Sequence, residues 1–156
     1  MTPDALAALH GQAMVHASPW SSAAFKAMLG QDNVFLLTTS SCLKYLGGGP
    51  TGRGQSPQAA GFVLGRTVEN EAELLTLAVD PNHQRQGHGK ILLKRFETEA
   101  ALRHAQTAFL EVARDNGPAI SLYLEAGWTE AGRRPDYYPR GKRGFIDALI
   151  MRKGLV

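Results

Sequence analysis

The chain has 156 residues, 44% of them hydrophobic, and a formal net charge of +3. That is length for one globular domain, residues 1–156, with a core of its own, and a charge that suits an anionic ligand but is too small to imply nucleic acid. No stretch approaches the ~18 consecutive apolar residues of a membrane span, the N-terminus lacks the layout of a secretory signal, and one cysteine, Cys42, leaves no internal disulfide. A reducing, cytoplasmic setting is therefore expected.

In chain order, residues 4–16 predict a helix, with Leu6, Leu9, Ala13 and Val15 loosely periodic. Ser18-Pro19-Trp20 breaks it, and Ser21 or Ser22 can cap a second helix reaching Leu29. Val34–Thr38 reads as a strand, and the Gly/Pro-rich stretch 47–58 as a loop inserted between strands. Segments 60–68 and 72–79 predict a hairpin around Glu69-Asn70-Glu71. A helix over 88–103, a strand over 107–113, a short helix over 117–125 and strands near 128–133 and 145–152 complete an alternating α/β pattern. Basic residues gather late, among them Arg133, Arg134, Arg140, Lys142 and Arg143.

The run Ala78 to Leu93, AVDPNHQRQGHGKILL, changes character twice, from apolar strand to polar loop to apolar helix. A helix that starts there has backbone N–H groups without intrahelical partners and the positive end of its dipole, which together make an anion site. Gly87 and Gly89 allow close backbone approach, while Arg85 and Lys90 add charge at the rim. A pyrophosphate fits this chemistry. The dinucleotide fingerprint fails because Leu92 stands where its third glycine belongs, and the P-loop fails because Ile91 follows Lys90 in place of Ser or Thr. The five histidines have no metal-ligand spacing, so no metal is expected.

The stretch Gln84-Arg85-Gln86-Gly87-His88-Gly89 resembles the acetyl-CoA loop of the GNAT acetyltransferases, Q/R-x-x-G-x-G/A. It follows an AVDP strand end and precedes LEV, DNGPAISLYLEAGW and DYYP in order, so the resemblance spans most of residues 70–151. Within that superfamily the ribosomal-protein-alanine N-acetyltransferases (RimI-like) are most similar, through Leu110-Glu111-Val112, Asn116, Ala119 to Tyr123, Arg133 to Pro139 and Pro19-Trp20. Gly127-Trp128 stands where that family has G-F, and the 47–58 loop departs from its pattern. The resemblance implies the GNAT fold: one mixed, mostly antiparallel twisted sheet flanked by helices, with acetyl-CoA between splayed strands. It implies acetyl transfer from acetyl-CoA to an amine, foremost the N-terminal alanine of a small-subunit ribosomal protein. Other acceptors remain open: another protein N-terminus, lysine, a polyamine or an aminoglycoside. A non-catalytic CoA-binding module is the remote alternative.

Acetyl transfer needs an unprotonated amine, N–H groups against the thioester carbonyl and a proton for the departing thiolate. Glu111 lies mid-strand, on the face of Phe109 and Ala113 by alternation, where a carboxylate needs a partner or a raised pKa. The resemblance makes it the proton acceptor, with Glu73, in the strand before the loop, as the alternative base. Tyr123, one turn after Ile120 and placed on a buried stripe with Leu124, is the implied proton donor to the thiolate. Backbone groups of Leu77, Ala78 and Val79 are expected along the pantetheine arm, and those of Arg85, Gln86, Gly87, His88, Gly89 and Lys90 around the pyrophosphate. Asn116 is expected as a helix N-cap that also touches the coenzyme. Tyr137 and Tyr138, in a late loop, suit a wall around an incoming peptide N-terminus, and Trp20 either staples the first helices or contacts substrate.

Overall fold

The computed structural model describes residues 1–40 and 58–155. Cys42 and nearly all of the 47–58 loop lie outside the described residues. The elements run α1 (Pro3–Ala13), α2 (Ser22–Leu29), β1 (Val34–Ser40), β2 (Ala59–Val68), β3 (Glu71–Val79), α3 (His88–Leu102), β4 (Thr107–Ala113), α4 (Gly117–Glu125), β5 (Thr129–Pro139) and β6 (Phe145–Gly154). The strands form one sheet in the order β1-β2-β3-β4-β6-β5, antiparallel throughout except for the parallel pair β3–β4. This mixed, mostly antiparallel sheet flanked by helices is the expected fold class.

Two apolar layers cover it. On one face, Leu92, Leu93, Phe96 and Ala100 of α3 pack against Val63, Leu74, Leu110 and Met151, with Tyr123 and Trp128 closing the cluster. Leu92, Phe96 and Ala100 lie on one stripe of this helix and are fully buried. On the other face, Leu6 and Leu9 of α1 and Phe25 of α2 cover Phe62, Leu64 and Ala78. Gly65 lets α3 close on the sheet: a Cβ there would stand 2.4 Å from Phe35 and 2.7 Å from Phe96.

Several boundaries differ from expectation. α1 stops at Ala13, and Val15 is 80% exposed, because Met14 turns extended and Trp20 folds back with its N–H on His10 Nδ1. β5 continues through Tyr137 and Tyr138, which were expected in a loop. Pro135 and a left-handed Asp136 (φ 51°) interrupt it, and the pairing with β6 jumps from Arg134↔Ala148 to Tyr138↔Ile146. Irregular backbone of this kind hides a strand from pattern reading.

Candidate active site

β3 and β4 pair over Glu71–Leu74 and Thr107–Leu110, and among the described residues β3 has no other strand on that side. Past Leu74 the two strands part, leaving the β4-facing edge of Leu77 to Val79 without a strand partner. Backbone groups there are open to an extended guest. A bulge marks the same place: Leu64 faces Thr76 while Gly65 faces Leu74, so Leu75 is the extra residue of β3. The bulge reverses the alternation, which is how Ala72 and Leu74 but also Leu77 and Val79 reach the α3 side.

At the end of the splay, α3 begins. Its N-cap, Gly87, has φ 89° and makes no side-chain capping bond, whereas Thr2, Ser21 and Asn116 each accept a backbone N–H at the start of their helices. The first N–H groups of α3 thus carry no side-chain cap, and among the described residues nothing lies within 4 Å of a Cβ built on Gly87. This arrangement fits a pyrophosphate. Asn116 is an N-cap as expected, its Oδ1 accepting from Ala119 N at 3.3 Å. Two side chains of this loop have partners of their own. His88 is buried, with Nδ1 3.2 Å from Thr39 Oγ1 and its pKa lowered by burial and by His83, so only its backbone N–H can face a ligand. Lys90 stays at the rim but pairs with Glu125 of α4 at 2.8 Å.

Glu111 is the first residue of β4 beyond the last β3–β4 pair, at the point where the strands separate. Its expected partner exists: Arg134 Nε donates to Glu111 Oε1 at 2.6 Å. The charge of the same carboxylate is the largest influence raising the Tyr137 pKa. Tyr138 is pushed up to about 12, first by burial and then by Glu111 and Tyr137. The two tyrosine rings meet edge to face at 5.0 Å. Glu73 lines the same cleft of about 400 Å³, together with Phe109, Ile150 and Arg66, and is ion-paired to Arg66.

Tyr123 is buried against Trp128, ring centroids 6.1 Å apart, and its pKa is raised by burial and by the nearby Tyr138. Its hydroxyl therefore keeps its proton at any working pH. Leu124, expected beside it in the core, is instead 55% exposed. Trp20 lies half-buried between α1 and α2, 5.3 Å from Phe25 and 6.0 Å from His10, which is the staple geometry. Beyond Tyr138 opens a second hollow of about 500 Å³, at the mouth formed by the α1–α2 loop, the β4–α4 turn and the β5–β6 turn. Asp115 ties these loops together, accepting from Arg140 at 2.7 and 2.6 Å and lying 3.3 Å from His16 Nδ1. The Arg140 hydrogen bond is the main reason its pKa falls to about 2. Sequence reasoning missed Arg134, Asp115 and Arg140 as site residues; the late basic cluster signalled the two arginines, and Asp115 stood only as the first residue of the DNGPAISLYLEAGW motif.

The Acetyltransferase (GNAT) family model matches residues 19–128, and the chain belongs to the GNAT acetyltransferase family. It is 37% identical, over 96% of its length and 90% of the relative's, to the [ribosomal protein bS18]-alanine N-acetyltransferase of Escherichia coli strain K12. The enzyme so named from Salmonella typhimurium is 35% identical over the same shares. The crystal structure of the ribosomal-protein-S18-alanine N-acetyltransferase from Escherichia coli superposes with a TM-score of 0.79 at 32% identity, covering 98% of this chain and 87% of that one. The chain is thus an acetyl-CoA-dependent N-acetyltransferase.

Proposed function

We propose that the chain acetylates the N-terminal alanine of a small-subunit ribosomal protein. The observation that carries this reading is the position of Glu111: at the throat where β3 and β4 part, under Tyr137 and Tyr138, and close to the buried Tyr123 through Tyr138. The names of the enzymes it resembles over nearly its whole length favour an alanine N-terminus as acceptor.

Acetyl-CoA supplies the activated acetyl group. In our reading the backbone of Arg85 to Lys90 and the dipole of α3 hold the pyrophosphate, and the free edge of Leu77 to Val79 holds the pantetheine arm. Asn116 orients the start of α4 beside it. Glu111 takes a proton from the acceptor ammonium, whose reference pKa is about 8, so a carboxylate need only assist. Tyr123, neutral and desolvated, donates to the departing sulfur. Tyr137 and Tyr138 wall the acceptor channel, and the Asp115 clasp fixes its mouth. Trp20 packs between α1 and α2 behind that mouth, and we assign it a supporting role for the acceptor. Residues 1–156 then act as one domain in a cytoplasmic setting.

The test is acetyl-CoA turnover across peptides beginning with alanine, serine or methionine, a lysine-bearing peptide with a blocked N-terminus, and free polyamines. Preference for the alanine peptide of a ribosomal protein supports the reading. Preference for a polyamine or internal lysine would leave the acetyltransferase and remove the ribosomal substrate.

A further inference from the structure

We propose that Arg134 is a gate on Glu111: its guanidinium occupies the position that the acceptor's ammonium takes, and an acceptor binds by displacing it. This rests on the reading of Glu111 as the proton acceptor and adds what stands in its way. As the structure has it, Glu111 is not a free base. Its Oε1 accepts from Arg134 at 2.6 Å, so an acceptor ammonium reaches the carboxylate only where the guanidinium has left it.

The pair is not forced by the strand register. β6 lies between β4 and β5, with Ile150 opposite both Glu111 and Gly132, so Arg134 must reach over β6 to make the contact. The arginine side chain is 55% exposed and the glutamate 25%, and exposed pairs of this kind are weak enough for a second cation to replace. Departure is also provided for: the guanidinium already leans on the Tyr137 ring, 5.8 Å from its centroid.

The other charged and titratable groups around Glu111 leave the role to Arg134. From β5 come Tyr137 and Tyr138, both neutral phenols. From β2 and β3 comes Arg66, already paired with Glu73. On β6, Arg152 lies over Phe109, 5.9 Å from the ring, in register with that residue and not with Glu111. When Arg134 swings away, a carboxylate and two phenols remain, a set that accepts one ammonium. The ammonium N–H bond then breaks, an O–H bond forms on Glu111, and the nitrogen keeps the electron pair that attacks the acetyl carbon. A neutral or acidic group at the acceptor position could not compete for the carboxylate. The gate thus selects a protonated amine before any peptide side chain is read.

The experiment compares wild type, Arg134→Gln and Arg134→Lys, each also in a Glu111→Gln background, with an alanine-initiated peptide as acceptor. With the gate removed, Arg134→Gln lowers the peptide KM about fivefold, leaving the acetyl-CoA KM unchanged. Arg134→Lys keeps a cation and behaves like wild type. In the Glu111→Gln background the peptide KM does not respond to either substitution. A peptide KM that rises in Arg134→Gln, or one that stays put, would overturn the gate. Should Glu111→Gln alone retain full kcat, the base assignment fails, while the gate is still judged by the peptide-KM cycle between the two residues.

Discussion

His10 Nε2 in α1 lies 2.9 Å from the Thr76 hydroxyl in β3, one residue past the Leu75 bulge. Because Nδ1 accepts from Trp20 N at 3.0 Å, the proton is on Nε2, which donates to Thr76. The ring is 2% exposed among Trp20, Phe25 and Phe62, and burial pushes its pKa down to about 4. One neutral imidazole thus joins the α1–α2 turn to the strand that bends at the site.

That linkage has a pH signature. The unfolded chain protonates His10 near pH 6.5 and the folded one near 4, so stability is whole above about 6.5 and is lost as the pH falls towards 4. The loss from this group amounts to about 3 kcal/mol at most. Denaturant titrations of wild type and His10→Gln at pH 7.5, 5.5 and 4.5 should converge as the pH falls. Parallel curves would mean that His10 titrates normally when folded.

The two glycine classes should separate cleanly. Gly65→Ala drives a Cβ into Phe35 and Phe96 and should cost several kcal/mol, since both neighbours are rings in the packed core. Gly87→Ala meets no atom but forces a left-handed residue, for about 1–2 kcal/mol. It should weaken acetyl-CoA binding more than it lowers stability, because the N–H groups it redirects are those at the start of α3. Calorimetric titration with acetyl-CoA and a melting curve on each variant check this.

Trp128 shows why a larger ring is accommodated at this position. Its indole N–H donates to Glu97 Oε1 at 2.9 Å, while Lys153 Nζ lies 2.8 Å from the other oxygen and also donates to Ala126 O. Trp128→Phe leaves a buried carboxylate oxygen without its donor, which should lower stability by about 1–3 kcal/mol. A urea midpoint at or above the wild-type value would show that the network contributes nothing.

Much of this was legible in the sequence, and the exceptions have physical causes. β4 and α4 fall on the residues that alternation and the Asn116 cap mark, because their patterns are unbroken. Nothing in the run Leu74 to Val79 announces a bulge, since every residue but Thr76 is apolar and either phase of alternation fits. α1 was over-extended because Met14 and Val15 continue an apolar pattern that Trp20, folding back from beyond the turn, brings to an end. The inward turn of the His88 ring, onto a threonine 49 positions away, has no local pattern to announce it. Arg134 and Glu111 meet across an intervening strand at a separation of 23 residues, which no local pattern encodes.

Tyr123→Phe removes one hydroxyl and keeps the ring against Trp128. Stability and acetyl-CoA affinity should hardly change, while kcat falls by roughly 10²-fold or more, the mark of an interaction made mainly in the transition state. A kcat within twofold of wild type in a variant that binds acetyl-CoA normally would remove Tyr123 from the proton path.

The most direct test is the pH dependence of kcat/KM for acetylation of an alanine-initiated peptide by wild type, Glu111→Gln and Glu73→Gln. Both carboxylates line one cleft, but Glu111 stands where β3 and β4 part and Glu73 is held by Arg66 within the paired region. If Glu111 is the proton acceptor, Glu111→Gln loses roughly 10²–10⁴ in rate together with the acidic limb of the profile, and Glu73→Gln stays within a fewfold of wild type. A nearly silent Glu111→Gln beside a crippled Glu73→Gln would contradict the account and move the base to β3.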